Sequence, residues 1–314
     1  MGGRQWIREQ KIQCGQDYMT VSLFAIGEQE HKAIRRKKGQ ESSARQKQKN
    51  KMASLRQKQR KILANFDEDG FYITATYEDA FLPEDAEQAR REVRNFSRRV
   101  QRAVEKMFGV GKSTVRFSLY ATKNGENGRW HMHGFAQCDG LSRVQRLLFR
   151  ELLEKMWRRR VPGSGEYESM GTLNADRLDL KRVLGKAGES RWGTVGYIYA
   201  HTARICVESR NLVCPQQLPD ADSKWSRKQL RKGCRECEKD PYWWEQRFPG
   251  WAVEKILIFE PREMHEGPEE PGEWEQSEPQ AYLILRRRRC GTSHLTDKTP
   301  VFCALYPCEK KVGL

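Results

Sequence analysis

Two histidines one residue apart, His131 and His133, are the residues of this 314-residue chain best placed to do chemistry. They lie in Gly128-Arg129-Trp130-His131-Met132-His133-Gly134-Phe135, after a run from Val115 to Thr122 that alternates like a strand. Strand side chains repeat every second residue, so both imidazoles project from one face and Met132 from the other. Two imidazoles aimed at one point make half of a metal site, and imidazole nitrogen accepts Zn, Mn, Fe, Ni or Cu. An isolated His-x-His is more often a pair of ordinary side chains on a half-buried strand, so its weight depends on the residues brought beside it.

A second candidate group lies between Val195 and Arg204, a segment of helical character. On a helix Tyr197, His201 and Arg204 share a face, and Tyr199 lies roughly opposite. A phenol beside cationic or proton-accepting groups is a candidate nucleophile; a tyrosine packing a helix interface is the plain alternative. Cys234 and Cys237 offer half a zinc site that Cys206 and Cys214 would have to complete, at a spacing that fits no familiar zinc pattern. Gly109-Val110-Gly111-Lys112-Ser113-Thr114 is not a phosphate-binding loop, because Lys106 stands where the motif needs its first glycine. It reads as a helix C-terminal turn.

The elements that must hold these groups are legible from periodicity. Phe71, Ile73, Ala75 and Tyr77 alternate with Tyr72, Thr74 and Thr76, giving a strand with one apolar and one polar face. Pro83 and the acids Glu84, Asp85 and Glu87 open a helix to about Phe108, with Val93, Phe96, Val100, Val104 and Met107 as its core side. Lys123 to Gly128 makes a hairpin-type connection, so the histidine strand pairs antiparallel with its predecessor. Residues 141–160 read as a second amphipathic helix, with Val144, Leu147, Leu148, Leu152 and Met156 inward. A polar crossing from Gly163 to Gly193 and a strand from Trp251 to Phe259 complete the domain.

Lys and Arg outnumber Asp and Glu to a net charge of +16, which favours a polyanionic partner, nucleic acid first. Much of the excess lies between Lys32 and Lys61, where thirteen bases face one acid, Glu41; it reads as a basic helical arm lying along phosphates. Residues 1–31 are uninformative, giving an N-terminal arm over 1–61 and a principal domain over 62–262. Residues 263–314 read as an acidic linker and a short basic C-terminal tail. No apolar run reaches the length of a membrane span and no leader is evident, and nine scattered cysteines suit reduced thiols. The expectation is a soluble cytoplasmic protein.

Taken in order, the Thr-x-Thr strand, helix, strand, His-x-His strand, helix and tyrosine helix resemble the HUH endonucleases. Among them the likeness is to rolling-circle replication initiators of the filamentous-phage gene II type. It covers roughly residues 40–260 and rests also on Asn65-Phe66, Ser209-Arg210-Asn211-Leu212 and Phe248-Pro249-Gly250. The resemblance implies an α+β fold with a central antiparallel sheet of about five strands flanked by helices. It further implies Mg²⁺ or Mn²⁺ on the paired histidines and a tyrosine that nicks single-stranded or supercoiled origin DNA through a 5′-phosphotyrosine. Host polymerase and helicase are the implied partners. Thr74, Thr76, Arg129, Arg204 and Arg210 are the implied DNA contacts. Two positions depart from the pattern. The family's lysine three residues after the tyrosine is here Ala200, leaving His201 or Arg204 for that charge, or Tyr199 as the nucleophile. The family's acidic third ligand falls at Lys123, leaving Glu126, or Glu78 and Asp79, to substitute. A conjugative relaxase or transposase of the same fold, and a non-catalytic nucleic-acid-binding protein, are the alternative readings.

Overall fold

In the computed structural model, residues 5–27, 44–125, 128–161, 163–185, 193–201, 203–260 and 278–288 are described. In chain order they form β1 (Gln5–Cys14), β2 (Tyr18–Gly27), α1 (Ala44–Asn65), β3 (Phe71–Thr76), α2 (Ala86–Phe108), β4 (Val115–Lys123), β5 (His131–Cys138) and α3 (Arg143–Lys155). Then follow β6 (Arg158–Arg160), β7 (Tyr167–Ser169), β8 (Leu173–Arg177), α4 (Leu180–Leu184), α5 (Gly193–Ala200), β9 (Ala203–Glu208), β10 (Gln216–Gln217) and β11 (Ala221–Trp225). The last elements are α6 (Arg227–Arg235), α7 (Pro241–Glu245), β12 (Trp251–Phe259) and β13 (Gln280–Arg287). Every strand pair among the described residues is antiparallel, and the fold they form is α+β.

The histidine strand β5 is the centre of a five-stranded sheet ordered β8-β3-β5-β4-β9. Alternation sends Ile73, Ala75, Leu119, Ala121, Met132 and Ala136 to one face, where they pack with Val93, Phe96, Val100 and Val104 of α2 and with Phe149 and Leu153 of α3. Helix α2 opens on Asp85, whose carboxylate accepts from the Gln88 amide, and closes on Gly109 at φ 68, a left-handed position. The expected C-terminal turn is therefore present. Two details of the helices differ from expectation. Met107 is exposed, and α3 is rotated so that Val144 and Leu147 face solvent while Phe149, Leu152 and Leu153 face the core. The residues Phe149, Leu152 and Leu153 form the i, i+3, i+4 stripe that meets the sheet, and α3 ends at Lys155, before β6.

The opposite, more polar face of this sheet is covered by α1 and α5. Tyr120 and Phe135 pack there with Leu55, Ile62, Leu63 and Phe66 of the α1 segment, with Val195, Ile198 and Tyr199 of α5, and with Tyr18, Tyr282 and Ile284 from a second sheet. Helix α1 is thus wedged between the two sheets. Its bases are drawn into the fold: Lys58 and Lys61 both pair with Glu208, at 2.9 and 2.7 Å, and the guanidiniums of Arg56 and Arg60 lie over the Tyr282 ring. Lys and Arg stems cover apolar surface as they do so, which lets so basic a segment pack. The portion 32–43 of the expected arm lies outside the described residues.

The second sheet is ordered β10-β1-β2-β13-β12, with β11 also on β1. It revises both ends of the expected organisation. Residues 5–27 are a strand pair, not part of a helical arm, and β13 is an interior strand, not a tail. The reason is visible in Ala281 to Leu285, an apolar run covered on both faces. Trp225, Leu230, Trp244 and Phe248 seal the outer side of this sheet. Among the described residues no helix is long and apolar enough to cross a membrane.

Candidate metal centre

Register brings the site together. Thr74 of β3 and Tyr120 of β4 flank His133, and Thr76 and Thr122 flank His131, so all six share the face that α5 covers. Gly128 permits the hairpin that delivers this strand: a Cβ there would lie 1.8 Å from the Asn124 carbonyl oxygen. Helix α5 ends at Ala200, which sets His201 at its C-terminal edge, over the paired histidines.

His131, His133 and His201 form a group whose ligand atoms lie within 4.8 Å of one another, and they could hold a metal ion. The hydrogen bonds fix how each ring is oriented. Nδ1 of His131 is 3.1 Å from the Arg129 carbonyl, and Nδ1 of His201 is 3.1 Å from the Tyr197 carbonyl. A carbonyl only accepts, so both Nδ1 atoms carry the proton and both Nε2 atoms present lone pairs. Those two Nε2 atoms face each other at 2.9 Å, a separation that either a proton shared by the two rings or a metal ion bound by both accommodates. Nδ1 of His133 meets Tyr72 Oη at 3.0 Å, while its Nε2 is buried with no hydrogen-bond partner. Two nitrogens bound at right angles at about 2.1 Å from one ion lie about 3 Å apart, so the His131–His201 pair is spaced as two ligands of one ion are. Ring orientation by carbonyls and hydroxyls is the usual support of a metal-binding imidazole.

The electrostatics agree. Burial pushes the His133 imidazole down to about 3, with the neighbouring His131 and His201 rings adding to the effect. His131 is lowered too, by burial and by His201, against the opposing bond to Arg129. Both therefore stay in the neutral form that ligates. Burial raises the Tyr72 phenol, which stays protonated beside His133.

Tyr197 is 53% exposed, and its ring stands edge-on to His133 at 5.3 Å and to His201 at 5.1 Å between centroids. Tyr199 is 7% exposed and points into the packing against α1, with its hydroxyl 3.4 Å from Ser54 Oγ. The other expected residues divide. Thr74 approaches His133 Nδ1 at 3.5 Å, and Thr76 bonds Thr172 at 2.7 Å on the exposed rim beside His131. Arg129 is held by Asp79 and the Tyr77 carbonyl. Arg204 closes the end of α5, donating to the Tyr199 carbonyl at 2.7 Å with its guanidinium over the Tyr199 ring. Arg210 is not brought to the site: the adjacent Ser209 bonds Phe117, five residues along β4 from Thr122, or about 17 Å away at strand rise.

Glu126 lies outside the described residues. Glu78 and Asp79 do not join the histidine group, and Asp79 is occupied by Arg129. His201, expected as a catalytic charge, instead completes the group that could hold a metal ion, a role the sequence reading gave to Glu126, or to Glu78 and Asp79. The cysteines do not converge: Cys206 lies on β9 beside Lys58, whereas Cys234 is buried under the second sheet, where burial pushes its thiol up to about 12. Comparison of the chain with protein-family models, with curated proteins and with solved structures returns no match.

Proposed function

We propose that this chain is a metal-dependent endonuclease and strand transferase for single-stranded DNA, of the HUH type, with Tyr197 as its nucleophile and rolling-circle initiation as its task. The observation that carries the reading is an exposed phenol standing edge-on to two of three convergent imidazoles. Tyr199 is set aside because its hydroxyl is turned into the protein.

His131, His133 and His201 are the ligands in this reading. Three nitrogen donors favour Mn²⁺ over Mg²⁺, which prefers oxygen. A divalent ion held there supplies positive charge against the scissile phosphate. Tyr197 Oη forms a bond to phosphorus as the bond from phosphorus to the 3′ oxygen breaks; that oxygen leaves as a 3′-hydroxyl, the phenol having given up its proton. The product is a 5′-phosphotyrosine, and the reverse reaction rejoins a strand without ATP. The released 3′-hydroxyl is the end a host polymerase extends while a helicase opens the duplex, in the cytoplasm of a bacterial host. Thr74 and Thr76, opposite His133 and His131 in the sheet register, are the proposed contacts to the bound strand.

The test uses the purified full chain, Mn²⁺ and a randomised pool of single-stranded oligonucleotides, scored for a denaturant-stable protein–DNA adduct. The wild type is expected to form it, Tyr199→Phe to retain it and Tyr197→Phe to lose it. An undiminished adduct in Tyr197→Phe overturns the choice of nucleophile. Salt-sensitive binding without any adduct points to a non-catalytic nucleic-acid-binding protein.

A further inference from the structure

The helix behind the histidine sheet carries a charged row that the proposed chemistry does not use. Arg91, Arg94, Arg98, Arg102 and Lys106 of α2 are all exposed. At about 100° per residue they fall within an arc of about 120°, opposite the buried Ala89, Val93, Phe96, Val100 and Val104. None of their side chains makes a hydrogen bond or ion pair among the described residues. The acids sharing this face stand at its ends, Glu87 in the first turn and Glu105, which Lys112 holds at 3.0 Å.

Five unneutralised bases in one row repel one another, and a polyanion removes that cost. The row spans about 22 Å, roughly six base-pair steps of duplex at ~3.4 Å each. Four of the five are arginines, whose planar guanidinium matches a phosphate in a bidentate manner. No aromatic side chain interrupts the row, whereas a surface for single strands needs stacking platforms. The row also lies across the sheet from the imidazoles, since α2 packs on the face that carries Met132.

We propose that the solvent face of α2 is a docking track for the phosphodiester backbone of duplex DNA, separate from the site where a single strand is cut. The inference rests on nucleic acid being the substrate and adds a contact to the flanking duplex. It assigns α2 affinity without base recognition, because phosphate contacts position a duplex and do not read it.

The experiment compares the full-length wild type with a variant carrying Arg91→Gln, Arg94→Gln, Arg98→Gln and Arg102→Gln. A control variant carries Lys228→Gln, Lys232→Gln, Arg235→Gln and Lys239→Gln, with the same change in net charge. Glutamine keeps helix propensity at these solvent positions, and thermal unfolding checks that each variant folds. Binding of a fluorescent duplex of arbitrary sequence is measured by anisotropy across a salt series, and adduct formation with single-stranded oligonucleotides is measured in parallel.

The α2 variant is expected to lose about 3 to 4 from the slope of log affinity against log salt, at about 0.9 per phosphate contact. Its duplex affinity near 0.1 M salt is expected to fall at least about 100-fold, with adduct formation unchanged. An unchanged slope, or an equal loss in the control variant, overturns the proposal. So does binding of the row to anionic lipid vesicles in place of duplex, which would mark a membrane surface. Duplex binding lost on the α2 change in a protein that forms no adduct supports the track while removing the nuclease reading, so the two fail separately.

Discussion

The proton positions on His131 and His201 follow from two backbone carbonyls, and they leave two lone pairs facing each other at 2.9 Å. His133 adds a third nitrogen oriented by Tyr72. Titration of the metal-free protein with Mn²⁺ by calorimetry is therefore expected to show one site. Tyr72→Phe, which keeps the ring and removes the oxygen that orients His133, should weaken that site about 10- to 100-fold, the usual cost of losing such a partner. His133→Ala should abolish it. Tyr72→Phe with wild-type affinity would show that Thr74 alone orients the imidazole.

At the scale of elements, the site depends on how the end of β3 is anchored beside β5. The Trp157 indole is buried and donates to the Thr76 carbonyl at 2.9 Å, and its ring packs on Tyr77 at 4.9 Å and on Phe96 at 5.6 Å. Trp157→Phe loses that hydrogen bond, worth about 1 kcal/mol, and leaves a cavity besides. Urea unfolding should register a loss of about 2 kcal/mol, with weaker metal binding because Thr76 lies opposite His131. Gly128→Ala should perturb the same site from the hairpin side, since the new methyl group cannot fit against Asn124 without moving the turn. Metal affinity unchanged in Gly128→Ala would mean that the hairpin does not position His131.

For the whole molecule, the second sheet is tied together by a buried carboxylate. Burial by itself raises Glu9, but hydrogen bonds from Lys11, Trp225 and Lys224 outweigh it and hold the group below the usual 4.5. The Trp225 indole donates at 2.6 Å, and Lys224 approaches at 3.1 Å. A carboxyl lowered on folding contributes stability that is complete above its unfolded pKa and is lost as pH falls through the folded value. Glu208, where burial is outweighed by Lys61 and Lys58, acts in the same direction. His133 and His131, also lowered on folding, take up protons in the unfolded chain first, so unfolding free energy is expected to be level above about pH 7, to fall below about 6.5 and to fall more steeply below about 4.5, where Glu9 and Glu208 add to the loss. Glu9→Gln should flatten the part of that fall below about pH 4.5 in chemical denaturation run at several pH values. An identical pH profile in Glu9→Gln would assign the acid sensitivity elsewhere.

What the residues alone determined was local. Alternation in Phe71–Tyr77, Val115–Thr122 and the histidine segment specified three strands and put both imidazoles on one face, because a strand's period of two needs no tertiary information. The periodicity of α2 specified its buried side for the same reason, apart from Met107 in the last turn. The ends of the chain were not legible, since a strand such as Ala281–Leu285 shows its place only when two neighbours and a covering layer exist to bury it. The basic character of α1 pointed outward, while packing between two sheets drew Lys58 and Lys61 onto Glu208. The third member of the histidine group was likewise decided by tertiary structure. His201 stands 70 residues from His131, and only the return of α5 across the sheet brings their Nε2 atoms together. The same packing buried Tyr199 and left Tyr197 exposed, a choice that helical spacing presented as open.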